Sequence, residues 1–183
     1  MALPFYTVGH STRTIEAFVD LLRKVEVTLI VDVRAIPRSR TNPQYNQDTL
    51  PALLTPFKIE YEPIAPLGGR RNKSKTIPPS ANGLWENQSF HNYADYALTD
   101  PFRAGLQHLI ACGREQRAAF MCSEAVWWRC HRRIIADHLI AGGETVYHLM
   151  GNDRIATATL TQGAKPQPGG SVTYPADTGS TPS

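Results

Sequence analysis

The chain has 183 residues, 42% of them hydrophobic and 19% charged, which suits one domain with its own core and is short for two. A net charge of +3 and a pI near 8.8 describe a mildly basic protein, short of the excess that a nucleic-acid-coating domain carries. No run of about 18 uncharged apolar residues occurs, and the opening MALPFYTVGHS lacks the basic start and apolar run of a signal peptide, so a cytoplasmic protein without a membrane partner is expected.

Along the chain, FYTVGH (5–10) is a short apolar run ending in Gly-His. TIEAFVDLLRKV (14–25) follows, with Ile15, Phe18, Val19 and Leu22 at helical spacing and Thr14 placed as N-cap. VTLIVDVR (27–34) is β-branched without alternation, as in a strand covered on both faces. QDTLPALLTPF (47–57) is a short helix broken by Pro51 and Pro56, and IEYEPI (59–64) is a third strand. Residues 65–87, with Gly-Gly, Pro-Pro and Asn-Gly, read as a long surface loop. Two helices are expected next, SFHNYADYALTD (89–100) and PFRAGLQHLIACG (101–113), the second behind an Asp100 cap and ending at Gly113. RAAFMCS (117–123) is a fourth strand, VWWRCHRRIIADHLIAGG (126–143) a helix, and TVYHLM (145–150) a fifth strand.

Strands alternating with helices imply right-handed crossovers, hence a small doubly wound α/β fold. Its sheet is expected to be largely parallel, with about five strands and helices on both faces. Residues 1–150 form this single domain. From 151 to 183 the composition turns to Thr, Gly, Pro, Ser and Ala with little to bury, which suggests a disordered or loosely attached extension. Ligands of such sheets bind beyond the carboxyl ends of the strands. Those ends carry Gly9, His10 and Ser11, then Asp32 and Arg34, then Cys122, Ser123 and Glu124.

Five segments in fixed order, TVGHSTRTIEAFVDLL, VDVRAIPRSRTNPQYN, PLGGRR, HNYADY and FMCSEAVWWRCHRRIIADHL, resemble the bacterial and archaeal proteins catalogued as domain of unknown function 488. The likeness spans about residues 5–150 and implies an α/β domain, with no reaction attached to it. The positions it marks are His10, Ser11, Asp32, Arg34, Pro37, Arg38, Arg40, Asn42, Asn46, Gly68 to Arg71, Tyr93, Cys122, Glu124, Cys130, His131 and Arg132.

Three cysteines, Cys112, Cys122 and Cys130, are too few and odd in number for a disulfide framework, so reduced thiols are expected. A thiol at a strand end before a helix, near Arg129, Arg132 and Arg133, is placed to ionise and attack. The bland alternative for Cys122 is a buried small residue. Glu124 either acts as a base or holds an arginine. A phosphatase loop is rejected: the sixth position after Cys122 is Trp128, Arg129 comes one later, and wrapping glycines are missing. The VDVR match to rhodanese-type sulfurtransferases spans four residues and is weak.

Cys122, Glu124, Cys130, His131 and His10 are metal-ligand types, but without a C-x-x-C pair, and with Cys130 and His131 about 100° apart on a helix, no metal ligand is assigned and the cofactor is left open. Taken singly, His131 reads as a satisfied helix residue and Cys130 as core.

Anion binding has broader support: GHSTR before a helix, the guanidiniums of Arg34, Arg38 and Arg40, and a second basic loop with Arg70, Arg71, Lys73 and Lys75. Trp85, Trp127, Trp128, Tyr45 and Tyr93 are placed to stack on a base. Against this stands plain salt bridging, Asp32 with a rim arginine above all. Two functions survive. One is an enzyme on a small anionic substrate, nucleotide-like or a modified base, with Cys122 or Glu124 reacting. Its anion site would draw on His10, Ser11, Asp32, Arg34, Arg38, Arg40, Arg70, Arg71, Tyr93, Trp128, Cys130, His131 and Arg132. The other is a binding module for a nucleotide or nucleic acid.

Overall fold

A computed structural model describes residues 2–176. Its main sheet holds six strands: β1 (Phe5–Gly9), β2 (Leu29–Asp32), β3 (Glu60–Pro63), β4 (Ala118–Cys122), β5 (Val146–Met150) and β6 (Arg154–Thr157). They lie in the order β3-β2-β4-β1-β5-β6, the first five parallel and β6 antiparallel to β5. Two helices, α1 (Ile15–Lys24) and α2 (Leu50–Leu54), belong to the crossovers around β2. Three more, α3 (Gln88–Tyr96), α4 (Asp100–Glu115) and α5 (Arg132–Ala141), belong to the later crossovers.

Strand alternation divides the interior into two cores. Tyr6, Val8, Ile30, Ala119 and Met121 pack with Phe18, Leu22, Leu50 and Leu54 from α1 and α2. Phe5, Leu29, Val31, Ala118, Phe120 and Cys122 pack on the opposite face with Phe102, Leu109, Ile134 and Ile135 from α4 and α5. The sheet is therefore covered on both faces, as its continuous apolar strands suggest.

Thr14 caps α1 as its position suggests, its side chain accepting from the Ala17 N–H. Three boundaries differ from the sequence expectation. Asp100 is the first residue of α4 and Thr99 its cap position, in extended conformation. α4 runs past Gly113 because that glycine serves packing: a Cβ there would meet the Phe5 ring at 2.2 Å. The largest difference is in the last crossover, where the helix expected from 126 begins only at Arg132. Trp127 to Arg129 form one 3-10 turn and Cys130 is extended (φ −132°, ψ 150°), held there by Trp127 stacking flat on His148.

Composition suggests a loose extension after residue 150, yet its described part packs closely. β6 extends the sheet, β7 (Lys165–Pro166) pairs with β8 (Val172–Thr173), and Val172 and Tyr174 are fully buried. Few apolar groups suffice because polar anchors do the holding. Tyr174 Oη donates to Asp137 Oδ2 at 2.7 Å, the Thr161 N–H to Asp137 Oδ1 at 2.9 Å, and the Tyr174 N–H to Asn82 Oδ1 at 2.9 Å. The last seven residues of that extension, 177–183, lie outside the described residues. Among the described residues no helix is long and apolar enough to cross a membrane.

Candidate functional site

The register sets Gly9 beside Cys122 and Asp32 beside Met121, so β1, β4 and β2 end at one level in the middle of the sheet. A cleft of about 530 Å³ opens above them. Its walls include Arg34, Arg38, Gly69, Arg70, Cys122, Glu124, Arg129, Cys130 and His131. Asn87, Ser89 and Phe90, from the start of α3, close one side.

Alternation places Cys122 and Asp32 on opposite faces, which splits the rim into two polar clusters. On the α1 side, Asp32 grips Arg34 through Nε to Oδ1 at 2.9 Å and Nη2 to Oδ2 at 2.7 Å, and Tyr61 donates to the same carboxylate. The second Nη2 hydrogen goes to the Tyr45 carbonyl at 2.7 Å. His10 stacks on Tyr45, donates from Nδ1 to the Ser11 carbonyl and faces Arg34 Nη1 with Nε2. Burial holds His10 down to about 4, so it stays neutral and can accept from Arg34. The cluster is a brace: Asp32, buried, spends its oxygens on it, and Arg34 shows only its remaining edge to the cleft.

On the α5 side lies a second, unusual set. Cys122 Sγ and Cys130 Sγ are 2.6 Å apart, both free thiols, both buried. Arg132, 1% exposed, directs Nε to Cys122 Sγ at 3.0 Å, Nη1 to Thr7 Oγ1 at 2.9 Å and Nη2 to the Glu124 carbonyl at 2.7 Å. Thr7 in turn donates to His148 Nδ1 at 2.7 Å. No carboxylate pairs with Arg132 among the described residues. A buried guanidinium needs a compensating negative charge, and the ionisable groups in its contact are the two sulfurs.

The thiols respond as one titrating pair. Burial opposes ionisation of Cys130, but the Cys122 S–H donated to it and the Arg132 charge outweigh that and bring it down to about 7. Burial, then the hydrogen bond to Cys130, push Cys122 well above the usual thiol range. The pair therefore divides, with Cys130 the more acidic thiol and Cys122 the less acidic one. His131 Nε2 donates to the Val33 carbonyl at 2.6 Å, which leaves Nδ1 unprotonated and 3.4 Å from Cys130 Sγ. Gly69 covers this ring so closely that a Cβ would meet Nδ1 at 2.6 Å.

Of the residues expected to bind an anion, Arg34, Arg38, Arg70, Cys130 and His131 line the cleft, together with Cys122 and Glu124. Arg132 lies beneath its floor. Ser11 is taken into the loop geometry, in left-handed conformation (φ 49°) with its N–H on the Ser123 carbonyl. Arg71 braces its own loop, donating to the Gly68 and Ala65 carbonyls over the Tyr96 ring. Tyr93 is buried, with its hydroxyl on the Leu67 carbonyl. Arg40 and Trp128 are exposed and stand outside the cleft. Arg129, named in the sequence among the arginines near Cys122, lines the cleft too; sequence reasoning missed Thr7 and His148, whose signal was polarity inside otherwise apolar strands, and the cleft residues Asn87, Ser89 and Phe90.

Two arguments about the thiols change. Cys122 is separated from the helix by the 3-10 turn, so the α5 N-terminus does not follow it directly. Cys130 is extended rather than helical, so the 100° separation from His131 does not apply.

The fold and site together define a doubly wound α/β domain whose carboxyl rim carries an arginine-compensated dithiol under a cationic cleft. Its family is equally plain: the model described as Domain of unknown function DUF488 matches residues 14–139, and the chain belongs to that family. No curated protein and no solved structure matches it.

Proposed function

We propose that the protein is a cytoplasmic, thiol-dependent enzyme acting on a small anionic substrate, nucleotide-like or a modified base. The observation that carries this reading is Arg132, buried against Cys122 without a carboxylate, directly beneath a cleft edged by Arg38, Arg70 and Arg129. An arrangement that stabilises a thiolate at neutral pH costs desolvation and is useful chiefly where a thiolate reacts.

In this reading the three mouth arginines bind the anionic group, with Phe90 offering an apolar face beside them. The Cys130 thiolate bonds to an electrophilic centre of the substrate as the bond from that centre to its leaving group breaks; the leaving group takes the electron pair and a proton from Cys122 or Glu124, while Arg132 stabilises the negative charge. Glu124, exposed at the cleft and free of ion pairs among the described residues, exchanges protons with the substrate or leaving group. Three cysteines, too few and odd in number for a disulfide framework, suit a reducing compartment and support the cytoplasmic assignment.

The test is the alkylation rate of each cysteine against pH in the native reduced protein, read by peptide mass spectrometry with and without inorganic phosphate. Labelling at the Cys122–Cys130 pair with a midpoint near 7, slowed by phosphate, is the expected result. Native protein that never labels there, or a midpoint at the free-thiol value of about 8.5, overturns the enzyme reading. The exposed arginines also suit a nucleotide or nucleic-acid binding module. That alternative gains if Cys122→Ala and Glu124→Gln leave oligonucleotide affinity unchanged while affinity falls steeply with salt.

A further inference from the structure

Cys112, the third cysteine, takes no part in the cleft. It lies on α4 four residues after His108, a spacing that brings both side chains to one helical face. That face covers the outer edge of the sheet. On β3, Tyr61 reaches Asp32 on the α1 side, so alternation turns Glu62 toward α4. One carboxylate oxygen then receives both helix groups: Glu62 Oε2 is 2.5 Å from His108 Nε2 and 3.3 Å from Cys112 Sγ. All three candidate ligand atoms lie within 4.8 Å of one another.

We propose that Glu62, His108 and Cys112 form a binding site for a zinc-class divalent cation, with a fourth position open to water or a ligand. The donor set of one thiolate, one imidazole and one carboxylate is that of a borderline-soft ion; magnesium and calcium take oxygen donors instead. Bonds of about 2.0 to 2.3 Å put tetrahedral ligand atoms roughly 3.3 to 3.7 Å apart. The Cys112 to Glu62 separation already fits, and His108 and Glu62 must open by about 1 Å from their direct contact to admit an ion. Both can do so, being 53% and 40% exposed in their side chains, and the same exposure leaves room for a solvent ligand. α4 and β3 hold the Cα positions, so the entropy cost of assembling three ligands falls on side chains alone.

The protonation state agrees. Without metal the Cys112 thiol donates its proton to Glu62. A bound cation takes that proton's place, and binding at neutral pH releases it. The site is separate from the rim dithiol, where Arg132 occupies the sulfurs and Val33 the His131 Nε2 hydrogen.

The experiment is a cobalt(II) titration of the reduced full-length chain, followed by absorbance and by proton release in weak buffer, with zinc as competitor. Saturation is expected to bring a thiolate-to-cobalt charge-transfer band and about one proton released for each ion bound at this site. Cys112→Ser should lose that band and one equivalent of metal, and His108→Ala should weaken binding at least about tenfold. His108 is exposed, so its variant tests the site even if Cys112→Ser folds poorly. Absence of uptake overturns the proposal. So does a band that survives both substitutions and disappears in Cys122→Ser, which places the metal at the rim instead.

Discussion

Arg132 Nε sits 3.0 Å from Cys122 Sγ inside the protein, and a sulfur takes the place a carboxylate normally holds. If the charge on the dithiol is what makes burial of this guanidinium tolerable, removing either partner alone should be unequal in cost. Replacing Cys122 and Cys130 together by Ala leaves an uncompensated buried cation and should cost about 3 to 5 kcal/mol. Arg132→Met leaves two neutral thiols in an apolar site and should cost much less, while moving the alkylation midpoint from near 7 toward about 8.5. Combining all three substitutions should recover most of the loss. Urea unfolding of the four proteins checks the cycle, and strictly additive effects would count against the thiolate.

The loop that carries this arrangement depends on Gly9. A Cβ at that position would meet the Glu124 carbonyl oxygen at 1.8 Å, and this oxygen is the acceptor for Arg132 Nη2. Gly9→Ala must therefore push the loop off the end of β1. We expect a loss of about 1 to 3 kcal/mol from overpacking. The alkylation midpoint should rise as well, because Arg132 loses the carbonyl that fixes it. Unchanged thiol titration in a folded Gly9→Ala protein would separate the loop position from the chemistry.

Much of this arrangement is legible in the amino-acid sequence. Strand ends carrying Gly9, Asp32 and Cys122 are legible because buried parallel strands are short apolar runs, and the doubly wound rule then gathers those ends. What stayed hidden is set by register and by packing at a distance. The face on which Asp32 and Cys122 point follows from β2 and β4 pairing one residue out of phase, and a single sequence does not reveal pairing. Trp127 to Cys130 look helical by composition, yet Trp127 finds His148 some twenty residues away and holds the segment open. The hidden turn is what brings Cys130 to Cys122. The sixth strand and the packing to Tyr174 were hidden for another reason: side-chain hydrogen bonds to Asp137 and Asn82 leave no hydrophobic pattern.

Tyr174 offers a direct measure of that packing. It is fully buried, tilted against Trp85, and its hydroxyl satisfies Asp137, whose carboxyl is raised by burial. Tyr174→Phe removes one hydrogen bond from a buried carboxylate and should cost about 1 to 3 kcal/mol. Tyr174→Ala adds the cavity and should cost roughly 3 to 5 kcal/mol. Thermal melts of the two variants decide it. Two wild-type melting curves would mean that residues 151–176 contribute little to the folded state.

Acid should unfold this protein early, through its buried histidines. Burial holds His10 and His138 down to about 4 and His148 to about 3, from an ordinary value of 6.5. In the unfolded chain all three protonate as pH falls below 6.5, while in the folded chain they remain neutral, so each favours unfolding in that window. The stability they supply is complete above about pH 6.5 and is lost progressively toward pH 4, each at up to roughly 1.4 kcal/mol per pH unit. Asp137 works in the opposite direction, since its raised carboxyl takes up a proton more readily when folded, but it is one group against four, because burial lowers His131 as well. His138 separates the contributions best: its Nε2 has no partner and its ring stands edge-on to Phe102. His138→Leu should therefore leave the fold intact, raise the urea midpoint at pH 5 more than at pH 7, and flatten the profile by about one proton. An equal gain at both pH values would mean that His138 titrates alike in the folded and unfolded chain.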